Sequence, residues 1–298
     1  MSTTVNPVDS VDLPAPASAP SVLAQLRRSF KSAPVMIALV LLSAIVLIGI
    51  FAPFLGTTDP NSLDTGQRLK VPGAEFWLGS DAFGRDVYSR VLYGARTSLI
   101  AGLGAALISV SIGLAIGVVA GYFRTADAII MRIMDGLMAI PGILLAIALV
   151  SLSGASLFTV LVAITIPEIP RVVRLVRSVI LTVRSEPYVE AAISLGTPVP
   201  LILLRHLVPN TVAPLLVQGT YIFASAILTE AILSFLGAGL SPETSSWGNI
   251  MSEGRMYFQM RPGLILYPGI LLSLTVLSVN LLGDAMRDAL DPRMARKL

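Results

Sequence analysis

Five stretches of this chain run for more than about 20 residues without a charged side chain, the length an apolar helix needs to cross a bilayer core. They are Ser32–Thr58, Thr97–Phe123, Gly136–Pro167, Leu207–Thr229 and Pro262–Gly283. Their sum constrains the fold more than any motif does. Charged residues are only 13% of the 298, against about 25% in soluble proteins. A disordered chain is excluded, the composition argues against a soluble globular enzyme, and an integral membrane protein is expected. The formal net charge of +3 implies no nucleic-acid partner. With no Cys and a single His, disulfides, a thiol nucleophile and Cys-based or multi-histidine metal sites are excluded as well.

The organisation follows from the runs. Residues 1–32 read as a flexible cytoplasmic tail, Pro-, Ala- and Ser-rich at its start and ending in Arg27, Arg28 and Lys31. The first run is too long for the 7–15-residue apolar core of a signal peptide, so 33–55 is expected to be an uncleaved first transmembrane helix. An external segment, 56–96, separates it from a five-helix core over 97–290. The third run is too long for one span, and the turn-rich stretch Ser151–Ser156 splits it into a hairpin. The fourth helix is expected to continue through Glu168 and Pro170 toward Arg174, and the fifth past Glu230. Residues 291–298 form a cytoplasmic C-terminus. With six helices and the N-terminus inside, 14 Lys and Arg fall in cytoplasmic segments and 7 outside. That bias places both termini in the cytoplasm.

The stretch 185–210 reads as two short helices around a hinge. Ser185 is a candidate cap, Pro187 suits a first helical turn, and Ala191 and Ala192 keep one face thin. Gly196 can take the left-handed conformation that ends a helix. Thr197 then caps, Pro198 starts the second helix, and Pro209 with Asn210 breaks it before the fifth span. A small-faced hairpin is a shape that docks into a partner's groove; an ordinary connecting loop is the alternative.

Tyr88, Val91, Leu92 and Ala95 fall at helical spacing, with Asp86 and Arg90 as an i,i+4 pair on the other face. This predicts an amphipathic helix on the outer membrane surface, serving as an anchor or as a platform for a delivery protein. Gly113, Gly117 and Gly121 repeat every four residues, the spacing that lets helices approach closely in lipid. Glu168 and Glu230 are acids near or within spans and are candidates for the translocation path; Arg171 is a ready partner for Glu168, and hydrogen bonding to a neighbouring helix is the alternative for Glu230. His206 has no Ser and Asp arranged around it, so no catalytic residue is assigned. No G-x-x-x-x-G-K-[ST] loop is present, so any ATP is bound by another chain.

Glu190-Ala191-Ala192, then Gly196 and, after a further twelve residues, Pro209 resemble the EAA motif of ABC importer permeases. The sequence carries His206 where that superfamily often has Ile, and the His206-x-x-Pro209-Asn210 ending is familiar in the peptide-importer branch. The blocks Leu78–Leu99, Leu233–Gly239 with Trp247-Gly248, and Asn280–Pro292 resemble the C-type permease subunits of bacterial dipeptide/oligopeptide importers. Together the resemblance covers about residues 25–298. It implies an all-α, type I importer bundle of six transmembrane helices in the bacterial inner membrane. Glu190, Ala191, Ala192, Gly196, His206 and Pro209 would form the ATPase-coupling region. Arg85, Asp86, Arg90 and Trp247 would be external docking candidates. The implied partners are a second homologous permease chain, two ABC ATPase subunits and a soluble substrate-binding protein. ATP and Mg would sit on the ATPases, with no cofactor on this chain. A stand-alone secondary transporter or channel is the competing function; it would need inverted repeats or paired intramembrane ions. An intramembrane enzyme would need a nucleophile–base or metal set that the residue counts do not supply.

Overall fold

The computed structural model describes residues 32–290. The tail and C-terminus read from the sequence, 1–31 and 291–298, lie outside them. The described residues contain no β-strand, only an isolated bridge between Ser80 and Asp86. In chain order the helices are α1 (Ala33–Phe51), α2 (Val87–Tyr122), α3 (Arg124–Met138), α4 (Gly142–Ser153), α5 (Leu157–Arg184), α6 (Pro187–Ser194), α7 (Val199–Ile202), α8 (Val208–Phe235), α9 (Trp247–Gly254) and α10 (Gly263–Leu290). A π-helical turn over Leu203–Leu207 joins α7 to α8.

Four continuous helical stretches are long and apolar enough to cross a membrane: Ala33–Phe54, Val87–Tyr122, Val199–Phe235 and Gly263–Leu290. The pair α3–α4, bent by 85°, would make a fifth. At 12 residues, α4 alone reaches about 18 Å at 1.5 Å per residue, short of the ~30 Å core. The 28-residue α5 carries Glu168, Arg171 and Arg174 within its first eighteen residues, which lowers its apolar character rather than its length.

α2 is the central element. Along one flank Gly113, Gly117 and Gly121 meet Val172, Val176 and Ile180 of α5; a Cβ on Gly117 would stand 2.7 Å from Cβ of Val176, and one on Gly121 2.6 Å from Cβ of Ile180. In lipid there is no hydrophobic force to drive helices together, so such close backbone approach is a main source of attraction. Ala106, Val118, Leu215 and Ile222 complete this core with α8. A second core joins Ala146 and Val150 of α4 to Val160, Ala163 and Ile164 of α5 and Leu233 of α8. α1 lies against α10 through Val35, Ala38, Leu282 and Ala285.

Several expectations need correction. The stretch 85–96 is not a separate surface helix: α2 starts at Val87 and runs unbroken into the span. Arg90 does not pair with Asp86, whose Oδ2 instead accepts from the Ser89 amide at 2.9 Å as the helix cap. The hairpin split falls at Gly154–Ser156, as read, with Gly154 at φ +84°. The helix before it, however, is interrupted at 139–141 ahead of Pro141. The hairpin at 185–210 starts at Pro187, but Ser185 is the C-cap of α5, its hydroxyl donating to the Thr182 carbonyl, and Glu186 holds the N-cap position of α6. Pro198, not Thr197, holds the cap position of α7. Nor do Pro209 and Asn210 break the chain. Pro209 has no amide to give the preceding turn, and the π turn absorbs this, the Val208 amide reaching back to the Leu203 carbonyl.

The tight α2–α5 contact makes a direct prediction. Gly117→Leu is expected to cost about 1–3 kcal/mol through overpacking and to lower the melting temperature of the detergent-solubilised protein. Gly136→Ala, in open space on α3, is expected to be neutral or stabilising by up to about 1 kcal/mol.

Candidate functional site

Three groups of residues carry the features of interest: the hairpin α6–α7, a buried charge network at the other end of α2, and a polar cavity between α4, α5 and α8.

The hairpin is built as its sequence dictates. Pro187 opens α6, whose fixed φ suits a first turn, and Gly196 closes it at φ +75°, where a Cβ would be strained. Val189 is buried and anchors the helix to the core. Glu190 and Ala191 are exposed and Ala192 half-exposed. Tyr188, Ile193, Leu201 and Leu204 are exposed apolar groups beside them, and Leu195 at the turn is 86% exposed. His206 is half-buried in the π turn, its ring 6.1 Å from that of Tyr188. Asn210 Nδ2 donates to the His206 carbonyl at 2.6 Å, and Pro209 is the second residue of α8. The residues singled out from the sequence therefore share one surface, and the exposed apolar side chains around them were not singled out.

The external candidates do not form a surface. Arg90 is fully buried and Arg85 nearly so. Asp81 Oδ2 accepts from Arg85 Nε and from Arg90 Nη1, each at 2.6 Å. Glu253 of α9 accepts from Arg90 Nη1 at 2.6 Å and from Arg85 Nη2. Trp247 is also fully buried, its Nε1 donating to the Val91 carbonyl at 3.1 Å. The docking reading of Arg85, Arg90 and Trp247 is thus replaced by a structural one: two arginines and two carboxylates neutralise one another and tie residues 81–90 to α9. Sequence reasoning missed Glu253 because it lies 168 positions from Arg85 and 163 from Arg90, whereas Asp81, four positions before Arg85, was within local reach.

The two intramembrane acids differ. Glu230 has no exposed surface; its carboxylate accepts from Ser98 Oγ at 3.2 Å and Ser234 Oγ at 2.9 Å. It bonds α8 to α2, and its place in a translocation path is withdrawn. Glu168 accepts from Arg171 Nη1 with both oxygens, at 2.8 and 3.0 Å. The pair lines a cavity of about 220 Å³ with Gly142, Ile143, Tyr221, Ser225 and Thr229. Tyr221, Ser225 and Thr229 recur every four residues in an otherwise apolar run, a signal the sequence carried and that was overlooked. Nearby, Arg177 grips Asp127 through Nε at 2.5 Å and Nη2 at 2.7 Å, and Arg174 reaches Asp135 at 2.6 Å. These two ion pairs clamp α3 onto α5.

A helical bundle with apolar spans, a charged cavity between α4, α5 and α8 and an exposed apolar hairpin fits a multi-pass membrane protein. The chain belongs to the family described as binding-protein-dependent transport system inner membrane component, whose profile matches residues 94–296. It is similar to a probable peptide ABC transporter permease protein of Sinorhizobium fredii, at 51% identity over 84% of this chain and 86% of the relative. A dipeptide transport system permease protein of Alkalihalophilus pseudofirmus is 42% identical over 87% and 86%. A glutathione transport system permease protein of Pectobacterium atrosepticum is 41% identical over 84% of each.

The buried network predicts a large asymmetry. Arg90→Met leaves the two carboxylates Asp81 and Glu253 to share the single cation Arg85, a buried excess of negative charge, and is expected to cost about 3–5 kcal/mol. Lys70→Ala, which removes only the exposed Lys70–Glu75 pair, is expected to stay within about 1 kcal/mol. Thermal unfolding in detergent compares the two.

Proposed function

We propose that this chain is one transmembrane permease subunit of an ATP-driven ABC importer that carries short peptides from a soluble binding protein into the cytoplasm. The membrane class and the family are those given above; peptide as cargo and the partner set are inferences from the relatives' names and from the hairpin. In this reading the chain crosses the membrane six times, with α5 and the bent pair α3–α4 as spans and both termini in the cytoplasm. It pairs with a second, homologous permease chain, and its work is mechanical rather than catalytic. ATP and Mg belong to two ATPase subunits, and the binding protein docks outside.

The observation that carries the reading is the hairpin. Leu195 at its tip is almost fully exposed, with Tyr188, Ile193, Leu201 and Leu204 around it. An apolar cluster on the polar end of a membrane protein is what a partner protein covers. At the same time Val189, Ile202 and Leu207 anchor the hairpin in the core formed with α2, α5 and α8. A push on α6 therefore reaches the spans as rigid-body movement. Glu190, exposed on α6, is placed to meet a basic residue of the ATPase. His206 and Pro209 shape the joint between hairpin and α8 and lie beside the docking face.

The test uses the complex of this chain with its second permease, ATPases and binding protein in proteoliposomes. Glu190→Lys and Gly196→Pro are expected to reduce ATP-dependent peptide uptake to background while the chain remains inserted, with the ATPase detached or its hydrolysis uncoupled. Uptake that persists in the absence of ATPase and binding protein would overturn the reading in favour of a secondary transporter.

A further inference from the structure

Three cavities lie in turn along one face of α5, and two of them also lie against α8. The first, of about 570 Å³, has Ser156 and Leu157 at the start of α5 and Ser241 and Thr244 beyond the end of α8. The second is the 220 Å³ cavity with Ile164, Glu168 and Arg171 on α5 and Tyr221, Ser225 and Thr229 on α8. The third, of about 460 Å³, has Leu175 on α5 and Pro214 and Gln218 on α8. On α5, positions 157, 164, 168, 171 and 175 form one narrow stripe of a 3.6-residue helix, and on α8 positions 214, 218, 221, 225 and 229 form another. The two helices meet the cavities in opposite chain order, as antiparallel neighbours must. From 157 to 175 the stripe rises about 27 Å, nearly the thickness of a bilayer core.

The middle cavity is the smallest of the three and the only one of them with both charges of an ion pair on its wall. A charged pair at mid-span is costly unless it faces water or a polar partner. Irregular backbone at that depth is tolerated under the same condition, and the break at 139–141 adjoins Gly142 on the cavity wall. Pro167, on the cavity wall, lacks an amide hydrogen, so the carbonyl of Ala163 loses its helical donor. Arg171 spends one nitrogen on Glu168 and is half-exposed. The site is neutral overall. A ligand with a single charge would satisfy one partner and strand the other, whereas a ligand with both charges replaces the pair with two.

Resting on the importer reading, we propose that the cavity between α4, α5 and α8 is a transit site for zwitterionic short peptides. The Glu168 carboxylate receives the peptide ammonium and the Arg171 guanidinium its carboxylate. The hydroxyls of Tyr221 and Thr229 serve the peptide's amide groups, and bulky side chains extend into the two larger cavities.

The test is uptake of a pool of isotope-labelled di- and tripeptides by the reconstituted complex, read by mass spectrometry, with ATP hydrolysis measured in parallel. Hydrogen bonds to charged groups are worth about 1.5–3 kcal/mol, so Glu168→Gln and Arg171→Met are each expected to slow uptake about tenfold or more. ATP hydrolysis and the elution profile of the complex are expected to be retained. The deciding variant is the neutral double substitution Glu168→Gln with Arg171→Met. If the pair only braces α5, removing both charges restores uptake to the wild-type rate, and the proposal is overturned. If the charges bind peptide ends, the double variant stays as slow as the single ones. Absence of any ATP-dependent peptide uptake by the wild-type complex overturns the importer reading itself, and the site with it.

Discussion

The close approach of α2 and α5 sets the rest of the structure. Three glycines on α2 let its backbone settle onto Val172, Val176 and Ile180, in a solvent where apolar surfaces do not drive each other together. What holds the pair is dispersion between well-fitted surfaces, which falls off within an ångström of misfit. Because α2 and α5 are locked, α8 can pack across both through Leu215, Ile222 and Ala226. The hairpin α6–α7 then hangs from a rigid base. The same lock positions Glu168, one turn before Val172, and Arg171, the residue next to it, at the wall of the middle cavity.

Charges in this protein are handled in two ways, and the difference separates structure from function. At the far end of α2, Asp81, Arg85 and Arg90 are buried and, with the partly buried Glu253, mutually satisfied. Such a network is sensitive to the loss of one member but offers nothing to a ligand. Glu230 is likewise consumed by Ser98 and Ser234. Glu168 and Arg171 are paired as well, yet they border open volume, and Arg171 is half-exposed. A pair that is neutralised but reachable can exchange partners.

Most of the helices were legible because a bilayer leaves few options: an uncharged run of sufficient length is a helix, and the structure places one along each such run. The glycine repeat, the turn at Gly154 and the helix stop at Gly196 were legible for local reasons, since spacing and the left-handed conformation are properties of a few neighbouring residues. The errors also have a common cause. Arg85, Arg90 and Trp247 read as surface groups because an Arg-rich helix start with an i,i+4 acid resembles a solvated face; the acid that Arg90 meets on α9 is 163 positions away. Pro209 read as a break because a proline costs a hydrogen bond, and the compensating π turn is visible only in three dimensions.

The sequence by itself determined that this chain is a helical membrane protein, where most of its spans lie, and that a short helical hairpin precedes α8. These follow from run length, charge placement and short-range spacing, which are local quantities. Only the tertiary structure decided which charged residues are sealed and which are open, because burial depends on what a distant segment brings to the contact. It took the packed bundle to align Glu168 and Arg171 with Tyr221, Ser225 and Thr229 on facing stripes, since two helices separated by 23 residues share a cavity only once their glycine and alanine contacts have set the distance between them.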